Sequence, residues 1–138
     1  MDWKECLDKR IAKNVNLDLN LINSLIKTSE NKLKSSQELK MNEINASSKF
    51  SLAYDSLREL LEALVLKKGY KVYNHECYTY FIKEIIGESD KGDEFDEIRR
   101  ARNEVNYYGQ EITVDESSKI IESIDSLRTF VLSLLKKK

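Results

Sequence analysis

The chain has no proline and only four glycines among its 138 residues. Proline and glycine are the residues that most often interrupt helices, so their scarcity predicts a mostly helical, all-α protein with short loops. No apolar run approaches the roughly 20 residues needed to cross a bilayer. We therefore expect no membrane-spanning segment.

The chain also has almost no net charge and only two cysteines. The formal net charge is −1, so no global basic field draws the protein onto nucleic acid or an anionic membrane, and any such contact would have to be local. Cys6 and Cys77 lie far apart in the sequence, and the chain carries no signal-like charged and apolar leader. We predict a cytoplasmic protein with free thiols.

A metal site is also not expected. His75 and Cys77 form a His-x-Cys pair, but zinc needs three or four ligands and no second cluster of ligand residues exists in the sequence. We therefore predict no metal and no other cofactor.

The apolar residues that are present recur at helical spacing. With 138 residues and 41% hydrophobic content, the chain suits one domain spanning residues 1–138. Periodicity predicts an amphipathic piece at 2–14, a polar-rich and half-exposed helix at 17–40, a core helix over Phe50–Leu64, a helix capped by Asn74, a helix from about Asp93 to Gly109, and a last helix after 113–115.

The connections and one buried face are also predicted. The core helix should end at Lys67-Lys68-Gly69, with a loop through Val72, and Gly87 to Gly92 should form another loop. Short connections favour antiparallel packing of the helices. The buried side of the helix after Asn74 is marked by Tyr78, Phe81, Ile82 and Ile85.

The segment from Ile98 to Gly109 carries the residues with a claim to chemistry. Residues three and four apart share a helix face, which makes a polar stripe of Arg99, Arg102, Asn103 and Asn106 and an apolar stripe of Ile98, Ala101, Val105 and Tyr108. Guanidinium and carboxamide groups suit a phosphate or a base edge, so the polar stripe is a candidate nucleotide- or RNA-binding surface. The alternative is a helix face that only meets water.

The order of these segments resembles the HEPN superfamily. The resemblance is carried by the Phe50–Leu64 helix, the Lys-Lys-Gly-Tyr turn, Asn74-His75-Glu76 opening a helix, and the Arg-Arg-x-Arg-Asn-x-x-Asn-Tyr-Tyr-Gly helix. It covers roughly residues 42–135 and leaves 1–40 as an N-terminal helical extension. It implies an up-and-down bundle of four to five helices, a homodimer, and pairing with a small nucleotidyltransferase in a toxin-antitoxin module.

The ribonuclease members of that superfamily use an Arg, an adjacent polar residue and a His a few positions later. Arg102 and Asn103 match the first two, but Tyr107 stands where the His is most common. The resemblance thus implies catalytic roles for Arg102, Asn103 and Tyr107. A tyrosine with an ordinary pKa of about 10 is a poor base at neutral pH, so weak or absent cleavage is expected.

The single histidine, His75, belongs to a different predicted helix. It would have to reach the arginine stripe from there, or from a second subunit, to replace the missing group. The simpler interpretation is a structural hydrogen bond near a helix N-terminus. Tyr107 and Tyr108 also have two interpretations, a base-stacking or modified residue on one side and, for Tyr108, a core residue on the other.

Three functions from different classes remain open. The first is an RNA- or nucleotide-binding component of a HEPN and nucleotidyltransferase module. The second is a metal-independent endoribonuclease toxin that uses Arg102 with a substitute acid and base. The third is a helical adaptor whose arginines pair with acidic neighbours such as Asp96.

Overall fold

The computed structural model describes residues 1–137, apart from the side chain of Tyr107. The described chain is mostly helical, with one small antiparallel β-ribbon. In chain order the elements are α1 (Trp3–Asp8), β1 (Ala12–Asn14), α2 (Leu19–Glu38), α3 (Ala46–Lys67), β2 (Tyr70–Val72), α4 (Glu76–Tyr80) with a π-helical continuation (Phe81–Ile86), α5 (Ser89–Tyr107) and α6 (Val114–Leu135).

Helix α3 is the centre of the core, as the sequence predicts. Phe50, Leu57, Leu60 and Leu64 are fully buried, and so are most of the apolar residues between them. A helix that is apolar around most of its circumference must be surrounded by other elements. It ends where the sequence predicts, since Gly69 follows with a φ of +91°, a left-handed conformation that glycine adopts without strain.

The four long helices alternate in direction. Ser36 contacts Lys49 and Ser29 contacts Ser56, so α2 runs antiparallel to α3. Helix α6 runs parallel to α3, because its first turn bonds the start of α3 and its last turn bonds the end of α3. Helix α5 returns antiparallel to α3. The predicted all-α, up-and-down bundle is confirmed.

Helix α2 uses small polar residues at its contact with α3. Ile22, Ser29 and Ser36 are buried at seven-residue intervals. The Ser29 hydroxyl donates to the Ser56 carbonyl at 2.6 Å, and the Ser36 hydroxyl donates to the Lys49 carbonyl at 2.9 Å. Small side chains let two helices approach closely while their hydroxyls remain paired. This arrangement explains why the apolar stripe of α2 is thin in the sequence.

The β-ribbon differs from the sequence prediction. Residues 12–14 were expected to be helical and residues 70–72 to form a loop, but the two segments pair antiparallel with Ala12 opposite Val72. Ala12 and Val72 are buried, whereas Lys13 is exposed and Lys71 is half-buried. Each strand has only three residues, with one buried position apiece, so its pattern is too short to stand out against neighbouring helical patterns.

The ribbon also corrects the prediction of free thiols. Cys6 and Cys77 form a disulfide whose Cα atoms are 6.2 Å apart. In an antiparallel pair, the residues before the first strand lie beside the residues after the second one. Cys6 precedes Ala12 by six residues and Cys77 follows Val72 by five, so the pairing brings them together across a sequence separation of 71.

The segment between α4 and α5 differs in two ways from the prediction. Helix α5 begins at Ser89, so Gly92 lies inside it and not in a loop. A Cβ at Gly92 would lie 2.4 Å from Lys83 Cγ and 3.1 Å from the Thr79 carbonyl oxygen, so glycine permits this close packing. Tyr78, Phe81 and Ile82 are buried as predicted, but Ile85 is exposed because the π-helical turn rotates it outward.

Helix α6 begins at Val114, two residues before the predicted start after Asp115, and it is capped at both ends. The Thr113 hydroxyl accepts from the Glu116 backbone N–H, and the Glu116 carboxylate accepts from the Thr113 N–H, which is a complete capping box. The Lys67 ammonium donates to the carbonyls of Leu134 and Leu135. Of the helices in residues 1–137, none is long and apolar enough to span a membrane.

Candidate functional site

The polar stripe of the sequence lies on one continuous helix. Helix α5 extends through Tyr107, and its buried residues Phe95 and Ile98 fix its rotation against the core. Arg99 and Arg102 are therefore turned toward α3 and α4. Arg99, Arg102, Asn103 and Asn106 share the face that periodicity predicts, but they have different partners.

Arg99 and Arg100 are used within their own helix. The Arg99 guanidinium donates to Asp96 Oδ1 through Nε at 3.1 Å and Nη2 at 2.8 Å. Arg100 Nε lies 2.9 Å from the other carboxylate oxygen, and the Thr79 hydroxyl donates to Oδ1 at 3.1 Å. Burial opposes ionisation of Asp96, but the Arg99 hydrogen bonds and charge, with help from Thr79, lower its pKa below the ordinary value.

Arg102 is held more loosely. Its Nη2 lies 3.5 Å from Asp55 Oδ1, and its guanidinium carbon lies 5.4 Å from the centre of the Tyr54 ring. The side chain is 16% exposed, and among the described residues its buried Nε has no hydrogen-bond partner. An arginine whose one ion pair is long and whose side chain is partly exposed retains capacity to bind an anion through its exposed donors.

Tyr54 connects Arg102 to His75. The Tyr54 hydroxyl lies 3.2 Å from His75 Nδ1, while Arg102 covers the face of the same tyrosine ring. Burial raises the pKa of Tyr54 to about 12, with Arg102 and Arg58 opposing the rise, so the phenol keeps its proton at neutral pH. His75 thus has the structural hydrogen bond that was expected, and that bond joins it to the tyrosine that also contacts the Arg102 guanidinium.

His75 is neutral in this environment. Partial burial lowers its pKa, the nearby cations Arg58 and Arg102 lower it further, and Asp55 acts in the opposite direction. If Nδ1–H donates to the Tyr54 oxygen, the Nε2 lone pair is free to accept a proton. If the phenol donates to Nδ1 instead, Nε2–H is a hydrogen-bond donor. In both cases the ring has a fixed orientation.

We call these residues the Arg102 cluster: Tyr54, Asp55, Arg58, His75 and Arg102. The sequence identified Arg102 and considered His75, and it placed Tyr54 in the core. The sequence analysis did not identify Tyr54, Asp55 and Arg58 of α3 as members of this cluster. Their spacing of one and four residues puts them on one side of α3, but only the packing of α5 and α4 shows what that side faces.

The amides of the stripe are not part of these pairs. Asn103 is half-buried, Asn106 is exposed, and neither carboxamide has a hydrogen-bond partner within residues 1–137. The Tyr107 side chain, to which a catalytic role was assigned, lies outside the described residues. Tyr108 is 77% exposed, which corrects its place in the predicted apolar stripe, because the helix ends at Tyr107 and the chain turns away from the core.

A cleft lies elsewhere in the molecule. It has a volume of about 790 Å³ and lies at the connection between α5 and α6. Its lining includes Glu43, Glu111 and Asp115, so its charge repels phosphate. The Arg102 cluster contributes nothing to it. Across the described chain, no three His, Cys, Asp or Glu side chains gather as metal ligands would.

No model of a known protein family matches this chain, and no curated protein matches it in sequence.

Proposed function

We propose that the protein is a HEPN-type helical protein that binds RNA or a nucleotide at the Arg102 cluster. The observation that carries the proposal is the weak pairing of Arg102, whose one ion pair within the described chain is long and whose side chain is still partly exposed. A phosphate oxygen would complete its donors in the charge-assisted geometry that guanidinium favours. Asn103, on the next position of α5, is placed to bond a sugar or a base edge.

Binding is tested with a fluorescently labelled single-stranded RNA in an anisotropy titration. Arg102→Ala should weaken binding by about 10- to 100-fold, which corresponds to one charge-assisted hydrogen bond. Arg100→Ala is the matched control, because it also removes one α5 arginine but its side chain is 72% exposed and contacts only Asp96. Equal losses in both variants would mean that RNA binds through general charge and not at the Arg102 cluster, and an absence of RNA binding by the wild type would favour the adaptor function.

A metal-independent ribonuclease is the second candidate, and His75 is the observation that favours it. With Nε2 unprotonated, His75 takes the proton of a ribose 2′-hydroxyl and the 2′-oxygen bonds to phosphorus. Arg102 stabilises the added negative charge on the phosphorane. The bond to the 5′-oxygen breaks, and that oxygen takes a proton from water. This supplies a base that the Arg-Asn-x-x-x-Tyr sequence lacks.

Cleavage is followed on a gel with EDTA present. We expect His75→Gln to abolish any cutting while leaving binding near the wild-type level, and Arg102→Ala to reduce both. Tyr54→Phe removes the bond that orients the imidazole and should reduce cutting with little effect on binding. If His75→Gln cuts as fast as the wild type, His75 is not the base.

The partners belong to the same proposal. We propose a homodimer that also binds a small nucleotidyltransferase, which follows from the HEPN resemblance. The exposed Tyr108 ring, directly after α5, would contribute apolar area beside the site. Light scattering of the wild type and of Tyr108→Ser tests the dimer, and co-purification with a co-expressed nucleotidyltransferase tests the partner.

We place the protein in the cytoplasm, where RNA is its ligand. The cytosol keeps most thiols reduced, so the Cys6–Cys77 bond would form there only under oxidising conditions. Alkylating the thiols in freshly lysed cells and counting modified cysteines by mass spectrometry measures the oxidised fraction. A fully oxidised population would place the protein in an oxidising compartment.

A further inference from the structure

The outer face of the β-ribbon carries an unusual set of side chains. Ala12 and Val72 pair opposite each other and face the core. Side chains alternate along a strand, so Lys13 and Lys71 lie on the outer face, and so does Tyr73, two residues after Lys71. Tyr73 is 52% exposed. The ribbon therefore has one buried apolar face and one cationic and aromatic face.

Lys13 and Lys71 are directly opposite each other in the register. Like charges in this position destabilise a strand pair. Both ammonium groups lie against Tyr73, at 5.4 Å and 5.6 Å from the ring centre. Within residues 1–137 neither lysine has a carboxylate at ion-pair distance. Their cation–π contacts with Tyr73 offset part of this repulsion, but no carboxylate in the described chain neutralises either charge.

Arg10 adds a third cation. It lines, with Lys13 and Tyr73, a surface depression of about 530 Å³. Its φ is +59°, a left-handed conformation that side-chain-bearing residues other than Asn and Asp rarely adopt. Glycine or asparagine would relieve this strain. The turn nonetheless carries an arginine, exposed on the same side as Lys13.

We propose that this surface binds single-stranded RNA. We name it the ribbon platform and define it as Arg10, Lys13, Lys71 and Tyr73. Tyr73 stacks on a base, and the three cations contact the flanking phosphates. An exposed ring among unpaired cations matches the alternating flat bases and anionic phosphates of a single strand. An anionic membrane surface also attracts cations and an interfacial tyrosine, so the test below includes vesicles.

The position of the platform supports the same ligand as the Arg102 cluster. Tyr73 is separated from His75 by Asn74 alone and both are exposed, so an RNA strand that contacts His75 is within reach of Tyr73. The inference thus rests on the proposed function and extends it, by adding a second stretch of RNA outside the Arg102 cluster. It predicts that affinity increases with the length of the RNA.

The test compares a trinucleotide with a twelve-nucleotide oligo-uridine in anisotropy titrations at several salt concentrations. Lys13→Ser with Lys71→Ser should weaken binding of the long RNA about tenfold or more and leave the trinucleotide unchanged. The slope of log affinity against log salt should fall by about 1.4, the value for two lost phosphate contacts on a single strand. Tyr73→Ser should weaken the long RNA by about five- to a hundred-fold, and Tyr73→Phe should not.

Matched controls separate a local site from general charge. Lys34→Ser with Lys40→Ser removes the same charge from exposed positions on and just beyond α2, and it should change little. Lys13→Arg with Lys71→Arg keeps the charge and should retain affinity. If the two serine pairs weaken RNA equally, the platform is not a site. Pelleting with phosphatidylserine vesicles, together with no preference for long RNA, would assign the surface to a membrane and overturn the proposal.

The outcomes also separate this inference from the proposed function. Arg102→Ala should weaken both RNA lengths, whereas platform variants weaken only the long one. If Arg102→Ala has an effect and the platform variants have none, the platform is wrong and the proposed function stands. If only the platform variants have an effect, the Arg102 cluster is not the RNA site. An absence of RNA binding at both lengths would overturn both.

Discussion

Removing the Cys6–Cys77 disulfide should strongly destabilise the protein. The bond joins α1 to α4 across a sequence separation of 71. In the chain-entropy account, closing a loop of this length restricts the unfolded chain and stabilises the native state by about 4 kcal/mol. For a domain of this size, about 4 kcal/mol corresponds to a decrease in Tm of roughly 10–15 °C. Both cysteines are fully buried, so the packing of the core also surrounds the bond.

The assay is urea denaturation followed by circular dichroism, with and without a reductant. The reduced wild type and the Cys6→Ala, Cys77→Ala double variant should have similar midpoints, both well below that of the oxidised protein. The double variant is also the control, because reductant should not change its midpoint. Thiol titration of the unfolded, non-reduced protein should find no free thiol, since residues 6 and 77 are the only cysteines in the sequence.

Two results would refute this reasoning. Two reactive thiols in the unfolded, non-reduced protein would mean that the bond does not form. A midpoint unchanged by reduction, in a protein whose bond is demonstrably present, would mean that the unfolded chain is already held compact by other contacts.

Three further predictions follow from local environments. By NMR the His75 imidazole should titrate with a pKa below its ordinary 6.5, and Arg102→Ala should raise that pKa because a nearby cation is lost. Because the unfolded chain then binds more protons, the free energy of unfolding should decrease as the pH falls below about 6.5, and in His75→Gln this part of the pH dependence should be absent. Thr113→Ala removes the capping hydroxyl of α6 and should lower the free energy of unfolding by about 1 kcal/mol in urea denaturation; no loss would mean that the first turn of α6 is satisfied without it. Gly87→Ala should cost about 1 kcal/mol through backbone strain alone, since φ is +83° and no atom lies within 4 Å of an added Cβ; a neutral result would mean that the turn relaxes.

The helical period of the apolar residues and the capping signals were sufficient to predict the long helices. The core position of Phe50–Leu64 and the end at Gly69 could be predicted, and the start of the last helix was predicted to within two residues, because each depends on residues within one or two turns of each other. The predicted first residues of the helices were less accurate where tertiary packing, and not the local sequence, determined them. Helix α5 begins four residues earlier than predicted, because Gly92 is required for close approach to Lys83 and not for a turn.

The candidate site was predictable only in part. The spacing of Arg99, Arg102, Asn103 and Asn106 placed them on one helix face, which is a local property. The spacing of Asp96 and Arg99 suggested an ion pair between them as one alternative, and the structure contains that pair. The connection from Arg102 to His75 through Tyr54 joins three helices, so no local pattern contains it.

The sequence by itself determined which segments are helical, where most of them end, and which faces are apolar, because backbone propensity, capping and periodicity act over short distances. Tertiary structure alone decided the ribbon, the disulfide and the Arg102 cluster. Each of these joins residues that are between 20 and 80 positions apart, such as Cys6 with Cys77 and Tyr54 with His75. Contacts of that kind depend on the register of strands and the packing of helices, and a single sequence does not encode them in any local pattern.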